Sequence, residues 1–355
     1  MQARLSLVAV LVGVLAGGAA AGPLGPFGET VLVTSATDPD LVNPWGVSFS
    51  ATSPFWVSDN GTGKATLYNS VGVKQGLVVS MPIGATAVTG QVFNGAASFH
   101  GDTFIFASEN GAIAGWRGAL GTTAEILFTP AGANYKGLAI STDKSTLFAA
   151  NFASGAIDVF GAGGVTGSFV DPTLPAGYKA FNVQNLGGTL YVTFALASGG
   201  DDVAGAGHGF LGTFDPVSHA FTRLVSQGAL DSPWGVALAP AGFGSLGGDL
   251  LVGNFGDGKI NAFDKVTGAL VGTLADAASN PLVIDGLWGL AFGNGGNGGS
   301  MSSLYVTAGP NEETGGLFAR IDTLSVAAVP EPAEFALMLG GLGLLSAQRL
   351  RRRRA

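Results

Sequence analysis

The chain has 355 residues, no cysteine, 59 glycines and a formal charge of −8. Without thiols it has no disulfides and no thiolate metal ligands, and its acidity argues against a nucleic-acid surface, which needs clustered Lys and Arg. An apolar content of 47% is too high for a disordered chain, and the glycines follow no three-residue period, which excludes a collagen-like helix.

At the N-terminus one cation, Arg4, precedes an uncharged apolar stretch from Leu5 to Leu15, and small residues end in Ala19-Ala20-Ala21. A charged start, an apolar core and an Ala-x-Ala site in that order predict a secretory signal peptide over residues 1–21 that signal peptidase removes. The two ends of the chain hold six of the 16 Lys and Arg but only two of the 24 acids, so the part between them carries −12.

From residue 22 to 326 one unit recurs: an apolar-glycine strand, a second strand ending in an Asn, Asp or Gly turn, and a third strand. The first copy has Pro44-Trp45-Gly46-Val47, then Phe55 to Gly61, then Ala65 to Tyr68. The second has Phe104 to Gly111 and Ile113 to Trp116. The third has Gly137 to Ile140, Leu147 to Asn151 and Ile157 to Phe160. A looser fourth has Phe181 to Val183, Leu190 to Phe194 and Gly209 to Phe214. The fifth opens on Pro233-Trp234-Gly235-Val236, and the sixth on Gly286-Leu287-Trp288-Gly289. The mean spacing from Gly46 to Gly289 is about 49 residues, a period of propeller blades. Such a unit cannot bury both faces of its sheet alone, so the units must stack around an axis.

The reading is therefore an all-β, six-bladed β-propeller. Glu29 to Val33, ahead of the first repeat, is expected to pair beside Leu317 to Val326 and close the ring. The strand–Asp/Asn–Gly–strand cadence resembles NHL-type propellers, a group that includes gluconolactonase-like proteins.

Residues 327–355 have three parts: Pro330-Glu331-Pro332, an apolar run from Phe335 to Ala347, and Arg349 with arginines 351 to 354. As a helix the run would reach about 20 Å, short of a hydrocarbon core near 30 Å, so it is expected to be a short membrane anchor held by its arginines. Two prolines before it leave an extended, accessible peptide. This tripartite arrangement resembles the PEP-CTERM sorting signal of Gram-negative bacteria. The resemblance implies an exosortase as processing enzyme, transient anchoring in the inner membrane, cleavage near the proline motif and delivery to the cell surface or matrix, often together with exopolysaccharide.

Candidate site residues each carry two readings. Trp45, Trp234 and Trp288, each beside a glycine, either stack on sugar rings at a channel mouth or pack between blades. Asn60, Asn110, Asn151 and Asn254 follow second strands; with Glu109 they either offer oxygens to a channel calcium or serve as turn residues. The gluconolactonase-like resemblance implies a channel metal bound by Glu, Asn and Asp, but no flanking motif here transfers its ligands. Asp201-Asp202 with His208 reads as a metal or acid–base group or as a solvated loop, and His100 has no pairing signature. No Gly-x-Ser-x-Gly elbow is present. The expected function is an exported surface or matrix propeller, a non-catalytic binding or structural component associated with polysaccharide. The alternative is a metal-dependent hydrolase or lactonase acting in the central channel.

Overall fold

The computed structural model describes residues 22–218 and 220–324. The expected signal peptide, Pro330-Glu331-Pro332 and the sorting segment lie outside these residues, as does His219. Among the described residues no helix is long and apolar enough to cross a membrane.

The described residues form six antiparallel sheets, each built from an inner strand outwards. The inner strands are Pro44–Ser48, Val88–Phe93, Tyr135–Ile140, Tyr178–Leu186, Pro233–Leu238 and Leu287–Phe292. Each pairs with the strand that follows it, a meander that needs only short hairpins. The fourth blade carries an extra pair, Asp201–Asp202, on its long second strand Thr189–Ser198. The fifth gains Pro23–Leu24 in parallel on its outer edge.

The sixth blade takes its outer strand from the other end of the chain. Phe27–Thr34 lies antiparallel to Leu317–Thr323, with Glu29 opposite Ile321 and Val33 opposite Phe318. The ring thus closes non-covalently through backbone pairing, as the segment from Glu29 to Val33 suggested.

Apolar alternation on both sheet faces supplies the glue. Six buried clusters each join two neighbouring blades, including one across the closure, where Val33 and Phe318 meet Phe55, Val57 and Tyr68 of the first blade. A seventh cluster, of Trp45, Phe152, Phe181, Ala195, Trp234 and Trp288, lies apart from these.

All six inner strands shift register at the same place. The irregularity falls between Pro44 and Val47, Val88 and Gln91, Tyr135 and Gly137, Ala180 and Asn182, Pro233 and Val236, and Leu287 and Leu290. A bulge there re-aims one side chain and bends the strand. It also brings the next inner strand close. A Cβ at Gly90 would stand 2.4 Å from the Leu138 nitrogen, and one at Gly235 would stand 2.4 Å from the Trp288 carbonyl oxygen. Glycine is therefore required by the approach of two backbones, which explains the Trp-Gly pairs. The bulge carbonyls that leave the ladder are satisfied across blades: Gln91 donates to Gly46, Asn182 to Trp234, Thr89 to Tyr135 and Thr307 to Trp45.

The closing strand gives a paired test. Val33 is 5% exposed and Val31 56%, because the strand shifts register between them. Val33→Asp is expected to cost about 3 kcal/mol or more, the penalty of an unpaired buried charge, and Val31→Asp less than about 1 kcal/mol. Denaturant unfolding of both variants measures the difference; equal costs would mean that this strand does not close the ring.

Candidate functional site

The residue before each bulge glycine belongs to one structural set: Trp45, Thr89, Lys136, Trp234 and Trp288 precede Gly46, Gly90, Gly137, Gly235 and Gly289, and Phe181 precedes Asn182 in the fourth blade. Side chains from this set converge. Trp45 stacks on Trp288 with ring centroids 3.5 Å apart and an interplanar angle of 18°. Trp234 meets both edge-on at 5.9 and 5.8 Å. Phe255 covers Trp288 at 4.1 Å, and Phe181 leans on it at 5.9 Å.

The three tryptophans that sequence reading offered as a sugar platform are thus brought together, but each is at most 4% exposed. Their faces are taken by one another and by Phe255, so a sugar would find no open ring. Packing, the other reading, describes their place here: they plug the channel.

Lys136 is the exception in this ring of aromatics. Its side chain is 2% exposed, and its Nζ lies 2.6 Å from Glu109 Oε1 and 3.0 Å from Asp201 Oδ1. The same Nζ stands 5.2 Å from the Trp45 ring centroid and 5.5 Å from that of Phe152, within cation–π range. Burial works against the ammonium, but the two carboxylates outweigh it and hold the Lys136 pKa above the usual lysine value. A lysine so held is a fixed cation; it is no amine nucleophile.

The partners form a network. Asn60 donates to Glu109 Oε2 at 3.0 Å. Asn43 donates to Glu313 Oε2 at 2.5 Å and accepts from Trp288 Nε1 at 2.9 Å, while Trp234 Nε1 donates to the Lys136 carbonyl at 3.0 Å. Burial raises the Glu313 pKa, and the charges of Asp201 and Glu109 raise it further. Burial likewise pushes Asp202 up to about 6. One end of the channel is therefore an acidic cap over an aromatic plug, with one internal cation.

The candidate calcium ligands divide accordingly. Asn60 and Glu109 join the cap. Asn110 accepts from the Ala87 amide, Asn151 bonds Asp158 and the Asn134 amide, and Asn254 bonds Asp257 and the Ala229 carbonyl. These three make their bonds within three separate blades. At the cap, the Lys136 ammonium already stands where Glu109 and Asp201 would hold a metal, so the residues present do not fit the channel metal that the gluconolactonase resemblance implied.

Of the loop group, Asp201 reaches the cap, whereas His208 turns its Nδ1 to the Val203 carbonyl at 2.9 Å. His100 has a partner after all, Glu125 at 3.0 Å; with Asp102 these place three ligand atoms within 4.8 Å of one another. Arg117 fills that cluster too, 2.7 Å from Asp102 and 2.5 Å from Glu125.

The other half of the channel is open. A cavity of about 600 Å³ is lined by the later residues of the inner strands, among them Val47, Gln91, Ile140, Asn182, Leu238 and Ala291, and by Lys144 and Gly188 from hairpins. Trp234 also lines it, so the aromatic plug borders both halves. That volume suits a small-molecule ligand. Among the described residues, no Asp, Glu, His or Tyr lines it.

Lys136 and the cavity escaped sequence reading. Lys136 carried a signal, since Lys136-Gly137 sits where Trp45-Gly46 does in the repeat. The cavity carried none, because its walls come from six separate blades.

No protein-family model matches the chain. It is 32% identical over 314 residues to uncharacterized protein R648 of Acanthamoeba polyphaga mimivirus, covering 80% of this chain and 76% of that protein. It is 31% identical over 312 residues to uncharacterized protein L690 of the same virus, covering 79% of this chain and 80% of that one. Among solved structures, virginiamycin B lyase from Staphylococcus aureus superposes with a TM-score of 0.51 at 14% identity, covering 84% of this chain and 99% of the lyase. A luciferin-regenerating enzyme superposes with a TM-score of 0.54 at 15% identity, covering 85% and 98%. At these identities the likeness to both enzymes is one of fold.

Two tests follow from the cap. Chelator or added calcium is expected to move the melting temperature of the wild type by less than about 1 °C, whereas calcium should stabilise Lys136→Gln, in which the ammonium is gone and the carboxylates remain. A clear calcium shift in the wild type would refute the built-in cation. For Asp202, a raised folded-state pKa means stability that is present below the unfolded value and lost as pH rises through about 6. Asp202→Asn is therefore expected to be more stable than wild type at pH 7.5, by about 2 kcal/mol, and to lose that advantage near pH 4. Chemical denaturation at both pH values reads this directly.

Proposed function

The chain belongs to the family of the uncharacterized mimivirus proteins R648 and L690, and we propose that it acts as an exported binding propeller rather than an enzyme. The observation that carries this reading is the cavity of about 600 Å³ at one half of the channel, lined by aliphatic, aromatic and amide side chains, with no Asp, Glu, His or Tyr in the lining among the described residues. A pocket of that kind supplies contact area and a few orienting polar groups, which suffices for binding. The metal-dependent hydrolase is disfavoured because its place for a metal holds the Lys136 ammonium.

The address comes from the chain ends. A signal peptide over residues 1–21 and the Pro330-Glu331-Pro332 sorting segment would deliver the propeller to the cell surface or matrix, with signal peptidase and an exosortase as processing partners. The ligand in that setting would be a saccharide of the surrounding polysaccharide. The propeller suits such a place because it is stabilised by backbone closure and core burial, without cysteine.

Mass spectrometry of the protein from culture medium and cell envelope of its host tests the address. The expected species lacks residues 1–21 and the terminal arginines; an intact full-length chain confined to the cytoplasm would exclude export. Titration of the full-length protein with oligosaccharides, followed by calorimetry, tests the binding role. Saturable binding is expected, and turnover of those sugars would instead make the protein an enzyme.

A further inference from the structure

We propose that the channel cavity is a site for a hydroxylated organic carboxylate, of the uronic-acid type, with Lys144 as its charge partner. This deepens the binding role above and rests on it. The first observation is the sign of the charge. The region between the chain ends is strongly acidic, and the capped half of the channel gathers Glu109, Asp201, Asp202 and Glu313 around one lysine. The cavity is the reverse: among the described residues its lining contains no acid, and its single charged residue is Lys144.

That lysine is uncompensated. Among the described residues its Nζ makes no ion pair, in contrast to Lys64, Lys74, Lys136 and Lys259. Its sequence neighbour Asp143 is spent on Ser141 and Ser145, accepting from both hydroxyls and from the Ser145 amide. Burial lowers the Lys144 pKa with no acid to offset it, as expected of a cation that waits for an anion.

The hairpin that carries Lys144 is also held in place. Its backbone is left-handed, with φ of 64°, and its carbonyl accepts from Ser98 Oγ at 2.6 Å, which ties it to the second blade. Ser98 is in turn held by Asn94, which donates to its carbonyl at 2.9 Å. The ammonium therefore stands on a fixed base.

The polar side chains of Thr142 and Gln184, also among the lining residues, point to the hydroxyls. Gln91 is 6% exposed and lines the cavity. Its Nε2 donates to the Gly46 and Trp56 carbonyls, both at 2.7 Å, which fixes the amide orientation with Oε1 buried. A ligand for this cavity thus needs one negative charge and hydrogen-bonding groups, on a body that fits aliphatic and aromatic walls. One ammonium matches a single carboxylate better than a dianionic phosphate, which favours forked, multiple donors. Sugars bearing a carboxylate meet all three demands.

The test is calorimetric titration of the full-length protein with galacturonate and glucuronate di- and trisaccharides, against their neutral galactose and glucose counterparts. Lys144→Gln and Ala291→Trp, which fills the cavity from the sixth blade, are titrated alongside, with thermal melts to show that each is folded. The acidic sugars are expected to bind at least about tenfold tighter than the neutral ones, Lys144→Gln to erase that preference, and Ala291→Trp to remove all binding. Equal binding of acidic and neutral sugars, still blocked by Ala291→Trp, would overturn the carboxylate assignment and leave the cavity a saccharide site. Absence of binding by any sugar at millimolar concentration would overturn both.

Discussion

Six backbones must pass one another around a single axis, and the space for a Cβ runs out where they do. At Gly90 and Gly235 an added carbon would stand 2.4 Å from the next strand's backbone. Each inner strand therefore bulges at the same point and carries a residue there that tolerates the approach. The fourth blade solves it differently: Asn182 replaces glycine and uses its side chain to bond the Trp234 carbonyl. The bulge re-aims the preceding residue, so one steric constraint of the ring decides which side chains fill its centre.

The aromatic plug and the buried lysine are consequences of that constraint. Four of the six bulge positions bring Trp or Phe into the axial cluster, whose rings cover one another and shut one half of the channel. The third blade brings Lys136 instead. A buried ammonium needs compensation, and it finds it in Glu109, in Asp201 from the insertion of the fourth blade, and in the faces of Trp45 and Phe152. Acids from several blades are thereby tied to one cation, and the channel acquires a polarity: an acidic, filled end and an open end whose lining charge is positive.

Fold and site draw on different parts of the chain, which is why one scaffold can serve different chemistries. The propeller shared with the virginiamycin B lyase and luciferin-regenerating enzyme structures rests on interblade clusters and bulges. Against that background this chain places the buried Lys136 among the aromatics at one end and Lys144 on a hairpin at the other.

Much of the architecture was legible in the residues alone. Alternating apolar strands, Asn and Gly turns and a period near 49 residues specify a blade, and its sixfold recurrence with a spare strand at Glu29 to Val33 specifies a closed ring, because local periodicity records which faces must be buried. The site was not legible in the same way. Trp45, Trp234 and Trp288 carried both a platform and a packing reading until the ring stacked them, and Glu109 and Asn60 both a metal-ligand and a turn reading until Lys136, 27 residues beyond Glu109, was folded against them. The cavity, with Lys144 among its lining residues, exists only once six inner strands surround one axis. Burial and pairing between distant blades are properties of the closed ring, so tertiary structure alone decided them.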